Sequence, residues 1–278
     1  MAKEAQLPEK TASHDHGTKR LKHASILEED RISTLPDSII LTVLSSFPTK
    51  DKTGVLSKRW AYLWTSVPSL SFTDTSYENA AAFAAAVDNA LLLHRALKLT
   101  NFSLEFEYRA YRPELKPRVD LWIRFATTAK VDQLSVCLSP ASCTPVEYTL
   151  PQHLYANEFV SILDFGNCII EPNGLIGWSS LKHLYFGFMS LTGDVINEVL
   201  LGSPRLESLE LHDCYDFYQL EIVSESLKKL VIDSYYSGSD WYFPLELEIV
   251  APKIESLEII GYFFLNEEVS DKGCVGIG

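Results

Sequence analysis

Residues 206–233 read LESLELHDCYDFYQLEIVSESLKKLVID and contain one apolar spacing twice. Leu206, Leu209 and Leu211 form an apolar–x–x–apolar–x–apolar unit, and Leu227, Leu230 and Ile232 repeat it 21 residues later. In the first unit Leu209 and Leu211 alternate with polar Ser208, Glu210 and His212, the period-two mark of a half-buried strand. The same unit occurs upstream at Val131-Leu134-Val136, Val160-Leu163-Phe165 and Leu181-Leu184-Phe186, and downstream at Ile254-Leu257-Ile259. From Val131 onward, successive starts lie 29, 21, 25, 21 and 27 residues apart.

This is the L-x-x-L-x-L core of a leucine-rich repeat, whose period runs from roughly 20 to 29 residues. Cys168 and Cys214 follow two of the units where that motif takes Asn or Cys to close the turn after the strand. Buried packing is the role expected of both thiols. Between the third and fourth units, Thr192 is placed to cap a helix whose Val195, Ile196, Val199 and Leu200 share a face, with Gly202 and Pro204 as its stop. A strand and a helix per repeat is the building block of a solenoid in which each repeat contacts its neighbours. Leu99-Phe102-Leu104 reads as a degenerate earlier copy, preceded by a helix expected from Ser76 to about Lys98 with Phe83, Val87, Ala90 and Leu91 inward.

The 278 residues carry 24 Lys and Arg against 37 Asp and Glu, a net charge of −13, which argues against general nucleic-acid binding. The five cysteines are odd in number and form no CxxC pair, so neither a disulfide framework nor a zinc site is expected. No apolar run approaches the length of a membrane span. An intracellular protein of nucleus or cytoplasm, with no cofactor, metal, membrane or nucleic-acid partner, is the expectation. No GxSxG, GxGxxG, P-loop or HExxH motif is present, and His94, His153, His183 and His212 are scattered, so the chain is not expected to be an enzyme. The expected layout is a disordered arm over 1–29, a helical module over 30–70, a helix-and-strand connection over 71–130, repeats over 131–265 and an irregular tail over 266–278.

Residues 30–64 read DRISTLPDSIILTVLSSFPTKDKTGVLSKRWAYLW and carry a charge of +2 on a remainder of −15. Pro36 opens a helix with an apolar stripe of Ile39, Ile40, Val43, Leu44 and Phe47, closed by Pro48. A second short helical stretch spans Lys52 to Leu56, and Ser57 caps a third in which Trp60, Leu63 and Trp64 share a face. A segment of this size seldom folds alone without metal, disulfide or partner.

Asp30-Arg31-Ile32-Ser33, Leu35-Pro36-Asp37, Val55-Leu56-Ser57-Lys58-Arg59-Trp60 and Leu63-Trp64 together resemble the F-box of plant F-box/leucine-rich-repeat proteins. The resemblance continues through Trp122-Ile123-Arg124-Phe125-Ala126 and Val131-Asp132-Gln133-Leu134 into the repeats. It implies an α+β multidomain chain, a small three-helix F-box followed by an α/β leucine-rich-repeat solenoid with irregular repeats. It also implies the substrate-recognition subunit of an SCF-type ubiquitin ligase, in which the F-box docks an SKP1-like adaptor and the repeats bind a target. Carried over, Leu35, Pro36, Ile39, Ile40 and Leu44 supply one docking surface, and Val55, Leu56, Trp60, Leu63 and Trp64 a second. Target contacts are expected on exposed repeat residues, with Tyr215, Phe217, Tyr218, Tyr235, Tyr236, Trp241, Tyr242 and Phe243 as aromatic candidates.

Two departures from the family pattern stand out. The run Asp51-Lys52-Thr53-Gly54 is two residues shorter than the family's spacing, and Gly54 falls where a helix is expected, at a cost of about 1 kcal/mol against alanine. Relatives also continue past the point where this chain stops, so a truncated product is expected. The alternative function is therefore a non-productive interaction protein that binds the adaptor without supporting ubiquitination.

Overall fold

The computed structural model describes residues 35–53, 60–108, 115–140, 148–217, 219–234 and 247–261, and the backbone of 269–270 and 274–277. Three short helices come first, α1 (Asp37–Ser45), α2 (Thr49–Thr53) and α3 (Trp60–Leu63). Pro36 occupies the N-cap of α1 with extended backbone, and the helix ends at Ser45, before Pro48. Then follow β1 (Ser69–Thr73), α4 (Ala80–Leu93), β2 (Asn101–Tyr108), α5 (Leu115–Thr128), β3 (Gln133–Pro140), β4 (Ile162–Gly166), β5 (His183–Gly187), α6 (Gly193–Gly202) and β6 (Ser208–His212). The remaining strands are β7 (Gln219–Glu221), β8 (Lys229–Asp233), β9 (Leu247–Val250), β10 (Ser256–Ile260), β11 (Val269–Ser270) and β12 (Cys274–Ile277).

One parallel sheet of eight strands organises the chain, in the order β1-β2-β3-β4-β5-β6-β8-β10. Its register aligns the sequence motif from strand to strand. Leu70, Phe102, Leu134, Leu163, Leu184, Leu209, Leu230 and Leu257 lie in one row across the sheet. Phe72, Leu104, Val136, Phe165, Phe186, Leu211, Ile232 and Ile259 form the second row. From β1 to β8 every member of both rows is buried, as side chains two apart on a strand share a face. Only on β10 does burial relax, with Leu257 38% exposed.

The corner before each strand is fixed by the same backbone bond. The carbonyls of Pro68, Asp132, Ser161, Lys182, Glu207 and Lys228 each accept from the amides that begin the next repeat. The sequence unit is thus one rung of a hydrogen-bonded ladder. The rung starting at Val67 belongs to it too: Val67, Leu70 and Phe72 follow the same spacing, so the sheet begins two strands before Val131.

Helices cover the connections between β1 and β2, β2 and β3, and β5 and β6. The helix expected from Ser76 to Lys98 is shorter, Ala80–Leu93, because the Asn79 side chain accepts from the Ala82 amide and starts it there. Trp122 on α5 packs against Phe83 and Phe106 at centroid distances of 6.0 and 6.1 Å, and its indole N–H donates to Asp88 of α4 at 2.7 Å. Thr192 caps α6 by accepting from Val195, and Ile196, Val199 and Leu200 face the core. A second sheet of β11-β12-β9-β7 lies within 219–277, where short strands occupy part of the expected irregular tail.

Candidate functional site

Two surfaces offer themselves for binding. On α1 the apolar stripe divides. Ile40 and Leu44 are 0% and 1% exposed and join the common core, whereas Ile39, Val43 and Phe47 are 47%, 40% and 48% exposed. Ile39 and Val43 lie one turn apart on α1, and Phe47 follows four residues later, just past the helix end. Pro36 is exposed beside them, Leu35 is half-buried against the core, and Tyr62 of α3 is 78% exposed. Leu63 is half-buried and Trp64 buried. Trp60 opens α3; its side chain, Val55, Leu56 and Gly54 lie outside the described residues. The expected docking residues therefore separate into an inward set, Ile40, Leu44 and Trp64, and an outward set led by Pro36 and Ile39. Val43, Phe47 and Tyr62 join the outward set, and only their exposure reveals it.

The second surface is the polar face of the large sheet. Its central row runs Ser71, Ser103, Ser135, Asp164, Tyr185, Glu210, Val231 and Glu258. Ser135 donates to Asp164 at 3.0 Å. Lys229 stands between Glu210 and Glu258 at 3.6 and 3.4 Å, and His212 reaches Glu210 at 3.5 Å and Asp233 at 3.4 Å. Burial, reinforced by Glu210 and Asp164, raises the Tyr185 phenol above its usual value. Of the aromatic candidates, Tyr215 is half-buried and Phe217 is 1% exposed, so Phe217 is core; the other six lie outside the described residues.

Two of the described thiols are tied up in structure. Cys168 bonds to the Gly166 carbonyl at 3.3 Å, and Cys214 to that of Phe186 at 3.3 Å. Burial raises the Cys168 thiol well above the ordinary range and pushes that of Cys214 up to about 12. Neither is a nucleophile at neutral pH. His94 is hydrogen-bonded to the Val67 carbonyl at 2.9 Å at the end of α4. Among the described residues no cluster of His, Cys, Asp and Glu is arranged to hold a metal, and no described helix is long and apolar enough to cross a membrane.

A parallel sheet built from aligned L-x-x-L-x-L strands, with irregular helices on its connections, defines a leucine-rich-repeat protein. The family model of the At1g61320/AtMIF1 LRR domain matches residues 91–272. The chain belongs to that leucine-rich-repeat family, and its curated relatives are Arabidopsis F-box/LRR-repeat proteins. It is 34% identical to F-box/LRR-repeat protein At5g02910 of Arabidopsis thaliana over 83% of its own length and 48% of that protein's. To the putative F-box protein At1g49610 it is 35% identical, over 86% of this chain and 57% of the other. To F-box/FBD/LRR-repeat protein At2g26030 the identity is 31%, over 87% and 54%. The chain thus spans about half the length of these relatives. No solved structure matches it.

Proposed function

We propose that the protein is the substrate-recognition subunit of an SCF-type ubiquitin ligase. In this reading the segment before the sheet is a three-helix F-box that docks an SKP1-like adaptor, and the repeats hold the protein to be ubiquitinated. The observation that carries it is the exposed apolar set Ile39 and Val43 on α1, with Phe47 just past its end, beside a line of the same helix that already fills the core. A contiguous apolar patch in water is a liability unless a partner covers it. The names of the relatives supply the kind of partner.

The role is non-catalytic; the bond to ubiquitin is made by enzymes the assembly recruits, in the nucleus or cytoplasm and without a cofactor. Co-purification of an SKP1-like adaptor with the full chain tests the docking. Wild type is expected to retain the adaptor, and Ile39→Asp and Trp60→Ala to lose it. Equal retention by all three refutes the reading. If the adaptor binds but no protein accumulates when cullin ligases are inhibited in cells, the non-productive alternative holds instead.

A further inference from the structure

The residue after each of five consecutive strands of the large sheet, β4, β5, β6, β8 and β10, adopts the left-handed conformation: Asn167, Phe188, Asp213, Ser234 and Gly261. Four of these suit the position, since glycine has no Cβ and short polar side chains tolerate the geometry. Phe188 does not. It holds φ +54° although bulky residues rarely enter this region, and it is 55% exposed, so burial of the ring does not compensate the strain. Its amide is bonded to the His212 carbonyl at 2.9 Å, which keeps the backbone in place. Strain held at an exposed aromatic points to a use outside the fold.

The position before it is also unusual. Gly187 is half-exposed, its backbone is not left-handed, and a Cβ there would meet nothing nearer than the His212 carbonyl oxygen at 4.0 Å. Neither conformation nor internal packing requires glycine at that point, and the bare backbone leaves room for close approach from outside. Charge completes the patch. Asp213 follows β6 on the next rung, and its carboxyl is pushed up by burial and by the neighbouring Asp233, with His212 opposing. Lys229 lies at the far end of β8, shared by Glu210 and Glu258, and at the rim itself His212 stands 3.4 Å from Asp233.

We propose that this rim, formed by Gly187, Phe188 and Asp213, is the anchor point for a captured protein, which presents an apolar side chain next to a lysine or arginine. The apolar group packs against the Phe188 ring over the bare Gly187 backbone, and the cation meets the carboxylates of Asp213 and Asp233. This inference rests on the repeats being the target-binding part of the chain.

Selection of random twelve-residue peptides displayed on phage, with the full chain as bait, tests it. Recovered peptides are expected to pair an apolar residue with an adjacent Lys or Arg. Phe188→Gly and Gly187→Val are expected to weaken them on the order of tenfold or more, the loss expected of a central contact. Asp213→Asn is expected to flatten the dependence of binding on salt. Phe188→Gly relieves strain, so its melting temperature should rise while binding falls, which separates lost contact from lost fold. Adaptor capture by the same variants should be unchanged, so failure here is distinct from failure of the docking role. Recovery of no peptides, of peptides without a basic residue, or of peptides indifferent to Phe188→Gly and Gly187→Val overturns the proposal.

Discussion

Replacing Gly202 by alanine should destabilise the protein although alanine is the better helix former. In the interior of a helix the exchange is worth about 1 kcal/mol in alanine's favour. At the last residue of α6, however, a Cβ would lie 2.5 Å from the Ile176 carbonyl oxygen, 2.6 Å from its Cβ and 2.8 Å from its carbonyl carbon. Two of these three atoms are backbone and cannot swing aside. Overpacking of this kind costs roughly 1–3 kcal/mol. Displacing the helix end would also strain the bond from the Trp178 amide to the Gly202 carbonyl, now 2.9 Å, worth about 1 kcal/mol. The net loss is about 2 kcal/mol. For a domain of this size each kcal/mol moves the melting temperature by about 2–4 °C, so a drop of roughly 4–8 °C is expected. The matched control is Gly187→Ala, where the new methyl has open space; there alanine should be neutral or gain up to ~1 kcal/mol from the restricted unfolded chain. Urea unfolding followed by far-ultraviolet dichroism measures both. A Gly202→Ala protein as stable as wild type, or a Gly187→Ala protein equally weakened, would refute the packing described for α6.

The two faces of α1 should respond oppositely to truncation: Ile40→Ala should cost about 2–5 kcal/mol, whereas Ile39→Ala should change stability by less than about 0.5 kcal/mol, both read from urea midpoints. Thr192→Ala removes the cap of α6 and should cost about 1 kcal/mol in the same assay. Stability should also fall in alkali. The Cys214 thiol is raised from 9.0 to about 12, that of Cys137 to about 11, and the Tyr155 phenol from 10.0 to about 12, all first by burial. The unfolded chain therefore releases protons first, and the stabilisation present below pH 9 should be lost progressively as pH climbs from about 9 to about 12. Melting scans across that range, compared with Cys214→Ala, check it. Phe188→Gly should raise stability by about 1 kcal/mol through release of the left-handed backbone strain, a gain of about 2–4 °C.

Six rungs of the sheet were legible because the same apolar spacing recurs in each. Val67-Leu70-Phe72 obeys the same rule, but it follows Trp60, Leu63 and Trp64, and Pro68 inside it reads as punctuation rather than as the first step of a strand. On α1 the sequence shows five apolar residues at i, i+1, i+4, i+5 and i+8. Ile39 and Ile40 lie about 100° apart around the axis, so such a pattern supplies two apolar lines. Which line turns inward is decided by α3 and the turn at Trp64–Ser66, on which the helix packs, and only the tertiary structure discloses that. The short second sheet left no trace, since strands of two to four residues carry too little periodicity. Phe188 gives no signal either: a phenylalanine after a strand reads as core, and its left-handed backbone is set by the ladder bond to His212.

Hydrogen–deuterium exchange of the full chain with and without an SKP1-like adaptor bears most directly on the central claim. The adaptor should slow exchange at the amides of α1 and the residues just after it, through Phe47, and leave those of β3 to β8 unchanged. Protection confined to the sheet, or no protection of α1 at adaptor concentrations that saturate a known F-box, would contradict it.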